Sequence, residues 1–203
     1  MGHKCFISYK KEDQAYRDEL DNVLESADVI NKGLDRTIDS DDGDYIMQTI
    51  RNEYLKDSTV TLFLIGTHSS EYEGYDSKGQ RKNYFIEHEL QASLYDGDGN
   101  TRNGILGVIL PEMDSKICGS QYQCPVCGNM HQIIRLDDAT VIREFHMNYY
   151  IEPHSGCTWS EDERYCVLVR WEDFIDNPTH WIDCAYNKRD SEIAEKVKVR
   201  NFR

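Results

Sequence analysis

Two apolar runs constrain this chain more than anything else in it. Residues 58–65 read Ser-Thr-Val-Thr-Leu-Phe-Leu-Ile and residues 104–110 read Gly-Ile-Leu-Gly-Val-Ile-Leu, the first closed by Gly66 and the second by Pro111. Both have strand length, β-branched content and almost no polar alternation. That is the pattern of strands buried on both faces, the habit of parallel sheets. Parallel neighbours need a long crossover, usually a helix. Residues 83–94 between the runs supply one, because Ile86, Leu90 and Leu94 form a single apolar stripe at 100° per residue.

The rest of the chain repeats this alternation. Lys4-Cys5-Phe6-Ile7-Ser8-Tyr9 is a short buried strand, followed by a charged loop at residues 10–13 and a helix carrying Tyr16, Leu20, Val23, Leu24 and Ala27. Residues 28–34 form a weaker strand. An acidic loop at 39–44 follows, with Asp44 placed to cap a helix bearing Ile46, Ile50 and Tyr54. Residues 165–170 are the last strand. Asn177 and Pro178 open the last substantial helix, and the charged tail from residue 190 is expected to be exposed. The fold class is therefore α/β, a doubly wound parallel sheet, in one domain over residues 1–203. Residues 113–160 break the pattern as a Cys-rich insertion before the last strand, with strand-like pieces at 132–136 and 140–143.

Charge narrows the function. Acidic residues outnumber basic ones 37 to 23, for a net charge of −14, which disfavours nucleic acid and anionic membranes as partners. No apolar run is long enough to span a bilayer. The chain enters a strand within a few residues, so no export signal is expected. Seven cysteines, an odd count, fit a reducing, cytoplasmic setting better than a disulfide framework.

Several motifs invite a chemical reading. Asp96-Gly97-Asp98-Gly99-Asn100 starts like a calcium loop but has Thr101 where Gly is needed and Gly107 where Glu is needed. Cys124-Pro125-Val126-Cys127-Gly128 is a Cys-x-x-Cys-Gly knuckle that can hold one side of a tetrahedral zinc, the alternative being free thiols in an irregular insertion. Cys118, His131, His146, His154, Cys157 and Cys166 are available to complete it, and Cys157 with Cys166 could meet across a hairpin. Such a site would be structural. Phosphate-loop, dinucleotide and nucleophile-elbow motifs are absent. In the crossover helix, Glu89 falls on the shoulder of the apolar stripe, where partial burial suits a carboxylate to chemistry. Glu87 falls just beyond Leu94, toward Gln91, and by periodicity alone is almost as good a candidate. His88, between two glutamates, is expected to be exposed with its pKa held up.

These residues also carry a resemblance. The first strand resembles the opening motif of TIR and TIR-like domains. Residues 57–67 and 103–110 resemble two central strands of the TIR-like family that includes the Thoeris anti-phage defence subunit ThsB. Phe85, His88, Glu89 and Leu90 are similar to its aromatic-x-x-aromatic-Glu-aliphatic helix, and residues 181–185 to its closing helix. The likeness covers residues 3–110 and 165–187. It implies a flavodoxin-like sheet and cleavage of NAD at the nicotinamide–ribose bond, as an NAD nucleosidase or ADP-ribosyl cyclase, giving an ADP-ribose-derived second messenger read by a separate effector protein. It further implies a phage-derived trigger and a homo-oligomer. It makes Glu89 the catalytic carboxylate, with Phe6, Ser8, Tyr9, Asp41, Phe85 and His88 around the substrate and no cofactor required. Two positions depart from the family pattern: Phe85 stands where Trp is usual, and His88 replaces an aromatic. The alternative is a non-enzymatic TIR-like interaction module. A phosphoacceptor domain is excluded, because no Asp ends the central strand at Ile65-Gly66-Thr67.

Overall fold

The computed structural model describes residues 3–26, 30–33, 43–97 and 100–200. Five parallel strands, β1 (Lys4–Ser8), β2 (Ile30–Gly33), β3 (Val60–Ile65), β4 (Gly104–Ile109) and β7 (Val167–Arg170), form one sheet in the order β2-β1-β3-β4-β7. This is the flavodoxin-like arrangement. A separate antiparallel hairpin, β5 (Cys118–Gln123) and β6 (Met130–Ile134), lies in the expected insertion.

Every residue of β3 and β4 is buried, as their composition demands. Side chains alternate between two apolar layers. Cys5, Ile7, Leu62, Leu64, Leu106 and Val108 meet α1 (Gln14–Ser26), α6 (Trp171–Asp176) and α7 (Pro178–Asn187) through Leu20, Leu24, Phe174, Ile182 and Ala185. On the other face, Phe63, Ile65, Ile105 and Ile109 meet α3 (Tyr84–Leu94) and α5 (Arg143–Tyr149) through Ile86, Leu90, Leu94 and Phe145. Phe6 joins α2 (Gly43–Thr49) in a third cluster with Ile46, Met47 and Ile50. Asn177 caps α7 as expected, its side chain accepting from the His180 N–H, with Pro178 in the first turn.

Four expectations need correction. Asp44 lies inside α2 rather than before it. Residues 140–143 are not a strand; they turn into α5, and Val141 and Ile142 before it and Phe145 within it are fully buried in the core. Residues 141–151 of the insertion thus contribute to the core. Gly107 makes this possible, since a Cβ there would stand 2.4 Å from Phe145 Cζ. The tail is not free either. Ile193 and Ala194 are buried, Lys198 N–H donates to Asn148 Oδ1, and Arg200 reaches two buried glutamates.

The fourth correction concerns α3. An amphipathic helix is expected from the stripe, yet residues 86–94 are all buried. The α4 helix (Pro111–Ile117) leads the chain out to the hairpin, and the chain returns as α5 over the polar side of α3. Gln91 there donates to Glu144 Oε1 at 2.7 Å. On the sheet side, Ser93 and Thr61 hydroxyls lie 2.7 Å apart, and Ser93 also donates to the Glu89 carbonyl.

Candidate active site at the switch between β1 and β3

The strand order reverses direction between β1 and β3, and open α/β sheets bind ligands outside the strand ends at such a point. Ser8 ends β1 there, paired in register with Phe63. Its alternation points it toward α3, and its hydroxyl donates to Glu89 Oε2 at 2.6 Å. Both residues are buried, at 0% and 5% exposure. Burial pushes the Glu89 carboxyl up to about 7, against the opposing effects of the Ser8 hydroxyl and the Lys10 charge. Lys10 is held at this edge by donating to the Lys82 carbonyl at 2.8 Å, just before α3. Among the described residues Glu89 forms no ion pair. Glu89 is thus a desolvated carboxylate whose side chain meets a single hydroxyl, which makes it the candidate among the carboxylates of this edge.

Glu87 is the contrast. Its carboxylate pairs with Arg81 at 2.6 Å, and Arg81 also pairs with Glu71 at 2.6 Å. Arg200 bonds Glu71 and Glu144, and the Arg143 N–H donates to Glu71 at 3.0 Å. Burial opposes ionisation of Glu71, but hydrogen bonds from Arg200, the Arg143 amide and Arg81 hold its carboxyl below the ordinary range. Burial and the nearby Glu71 push Glu87 up to about 7 despite Arg81. This network joins α3, α5, the 67–83 loop and the tail, so Glu87 is a structural carboxylate.

Ser8, Glu89 and the crossover helix between β3 and β4 all lie within the span of one family model. Residues 6–115 match the model of the Thoeris protein ThsB, TIR-like domain. The chain belongs to this family. No solved structure matches it. The matched span runs from within β1 through β4 and holds both Ser8 and Glu89, whereas the hairpin, α5, β7 and the closing helices lie beyond it. No helix among the described residues is long and apolar enough to cross a membrane.

Within this ThsB-family domain the expected site residues separate. Phe6 is fully buried beneath the site and packs with half-buried Phe85 and Tyr84. Tyr9 leaves Glu89: it turns to the α1 face, packs on the second apolar layer and donates to Gln14 Oε1 at 2.9 Å. Period-two alternation separates it from Ser8. His88 is buried, not exposed. Its Nδ1 lies 2.6 Å from the Tyr84 carbonyl, its ring lies tilted 44° against the Tyr84 ring at 4.1 Å, and burial lowers its pKa. Asp41 lies outside the described residues. Lys10 and Asp13, which read in the sequence only as a charged loop, belong to the same edge. Asp13 is buried against Gly66, where a Cβ would stand 2.3 Å from its carboxylate, and burial pushes it up to about 6. Glycine straight after β3 is the only sequence signal for that close approach.

The insertion brings Cys124, Cys127, His131 and Cys157 together, their ligand atoms all within 4.8 Å of one another. Cys157 therefore joins the knuckle and Cys166 does not. Cys166 sits just before β7, its thiol fully buried in the apolar core and pushed far up in pKa.

Proposed function

We propose that this chain cleaves NAD at the nicotinamide–ribose bond and releases a signalling nucleotide derived from ADP-ribose. The carrying observation is the buried Ser8–Glu89 pair at the switch point, supported by membership of a defence family. Heterolysis of the N-glycosidic bond sends its electron pair to the cationic ring nitrogen, so nicotinamide leaves neutral and needs no general acid. The ribose becomes oxocarbenium-like. A carboxylate in a dry site stabilises that charge strongly. Water then captures the ribose carbon and loses a proton, or another nucleophile does so to give a cyclic or conjugated product. A separate effector protein would read that product.

The test is incubation of the purified chain with NAD, alone and with extract of phage-infected cells, since defence enzymes of this kind can stay silent until triggered. Free nicotinamide formed in step with NAD loss supports the reading. Intact NAD in the presence of extract points to the non-enzymatic interaction module.

Two variants refine the site. Because Glu89 must be ionised to stabilise a cation, turnover should rise with pH and reach half its plateau near 7. The Ser8 hydroxyl favours the ionised form, so Ser8→Ala should move that limb to higher pH. An unmoved limb would show that Ser8 does not act on Glu89. Glu87→Gln should leave nicotinamide release near wild type, because Arg81 keeps Glu71 as a partner. Loss of turnover in a folded Glu87→Gln protein would transfer the catalytic role to Glu87.

A further inference from the structure

The geometry points to a structural zinc ion held by Cys124, Cys127, His131 and Cys157, clamping the 150–160 segment onto the β5–β6 hairpin. The inference is independent of the NAD reading, because the site lies outside the catalytic edge and beyond the family match. Cys124 and Cys127 flank the hairpin turn. The turn is tight: Gly128 has φ 75°, its N–H donates to the Cys124 carbonyl at 2.9 Å, and the Cys124 N–H donates to the Asn129 carbonyl at 2.8 Å.

The other two ligands arrive from different segments. His131 is the second residue of β6, and Cys157 comes from the irregular stretch between α5 and β7. Cys127 Sγ lies 3.0 Å from His131 Nε2, Cys157 Sγ lies 3.2 Å from the same nitrogen, and the two sulfurs are 3.5 Å apart. Zn–S bonds of about 2.3 Å in a tetrahedron place sulfurs about 3.8 Å apart, so the cluster has the size of a zinc shell. All seven cysteines are free thiols. Three thiolates with one imidazole select zinc over the oxygen-seeking calcium and magnesium, and four protein ligands leave no open position for catalysis.

The 150–160 segment has contacts of its own, with Trp159 stacked on His154 and donating to the Ile151 carbonyl, and it reaches the hairpin through Tyr150, whose hydroxyl donates to the Ile134 carbonyl. A lone two-stranded hairpin is marginal in water, and residues 120–123 of β5 are all exposed. In the facing segment Glu152, Pro153, Ser155, Gly156 and Cys157 are exposed, with Ile151 its buried apolar anchor. A metal closing hairpin to loop would contribute the order that so small an apolar contact does not.

The experiment is elemental analysis of the full chain, purified in reductant, exposed to zinc and desalted. About one zinc per chain is expected, as for closed four-ligand sites. Cobalt substitution should give the visible bands of a tetrahedral thiolate site. Cys127→Ser and Cys157→Ser should lose the metal, and Cys184→Ser should retain it. Cys127 and Cys157 are exposed, so both variants should fold, with circular dichroism as the check. Chelation should make the 150–160 segment the first site of protease cleavage. A zinc-free wild type overturns the inference, and so does zinc that persists in both serine variants. A Cys127–Cys157 disulfide in the reductant-purified chain would overturn it equally.

Discussion

Glu89→Gln should abolish nicotinamide release and, above pH 7, raise thermal stability. The two effects share one cause. The amide keeps the shape of the side chain and an oxygen for the Ser8 hydroxyl, which donates to Glu89 at 2.6 Å, but it carries no charge to stabilise an oxocarbenium-like ribose. Losing a group that acts in the transition state lowers kcat and kcat/KM together. For stability, the ordinary carboxyl value of 4.5 is raised in the folded protein to about 7. Between those pH values the unfolded chain gives up the proton while the folded chain still holds it. The contribution of Glu89 is therefore intact below about 4.5, falls as pH rises to about 7, and stays low above that. The full difference is on the order of 3 kcal/mol. An amide, which never ionises, should recover about 1–3 kcal/mol of it at pH 8 and almost none at pH 4.5. Melting curves at the two pH values, beside nicotinamide release at pH 8, make the check. NAD turnover that persists in Glu89→Gln sinks the assignment. An inactive variant that is also less stable at pH 8 would mean that the carboxylate is held by an interaction stronger than the Ser8 bond.

The sheet was legible because local pattern determines it, whereas the choice of Glu89 over Glu87 came from the family resemblance. Continuous apolar runs at 58–65 and 104–110 demand burial on both faces, and a helix-period segment between them fixes a parallel crossover. Ser8 then falls at a strand end and Glu89 beside the apolar stripe. What local pattern cannot register is coverage by distant chain. The polar face of α3 reads as solvent-facing, and His88 with it, because Glu144 and Arg200 lie 53 and 56 positions apart from their partners Gln91 and Glu144. The same limit applies in the insertion. The Cys124–Cys127 spacing announces a knuckle, but His131 and Cys157 stand out from Cys166 only once the loop between α5 and β7 has been placed. Tyr9 fails for a more local reason. Alternation puts it on the face opposite Ser8, and grouping the two as neighbours ignores that.

Arg200→Ala should destabilise the protein by about 3–5 kcal/mol, although the residue lies three positions from the end of the chain. Its guanidinium bonds both carboxylate oxygens of Glu144 and pairs with Glu71 at 2.7 Å. The side chains of those glutamates are 0% and 4% exposed. Removing the cation leaves Glu144 with Gln91 as a neutral partner and leaves Glu71 to Arg81 and the Arg143 amide. A buried carboxylate stripped of its counter-ion costs far more than the intact pair contributes. Pairing Arg200→Met with Glu144→Gln should therefore recover much of the loss, because both charges leave together. Denaturant melts of Arg200→Met, Glu144→Gln and the double variant measure this as a coupling energy. The consequence reaches the site, since Glu144 grips α3 at Gln91, two residues beyond Glu89. Nicotinamide release should fall in Arg200→Ala even at temperatures where the protein remains folded. If Arg200→Ala melts like the wild type, the network is screened by solvent and the burial of α3 rests on its apolar stripe alone. Glu87 would then lose its structural assignment and become a rival to Glu89.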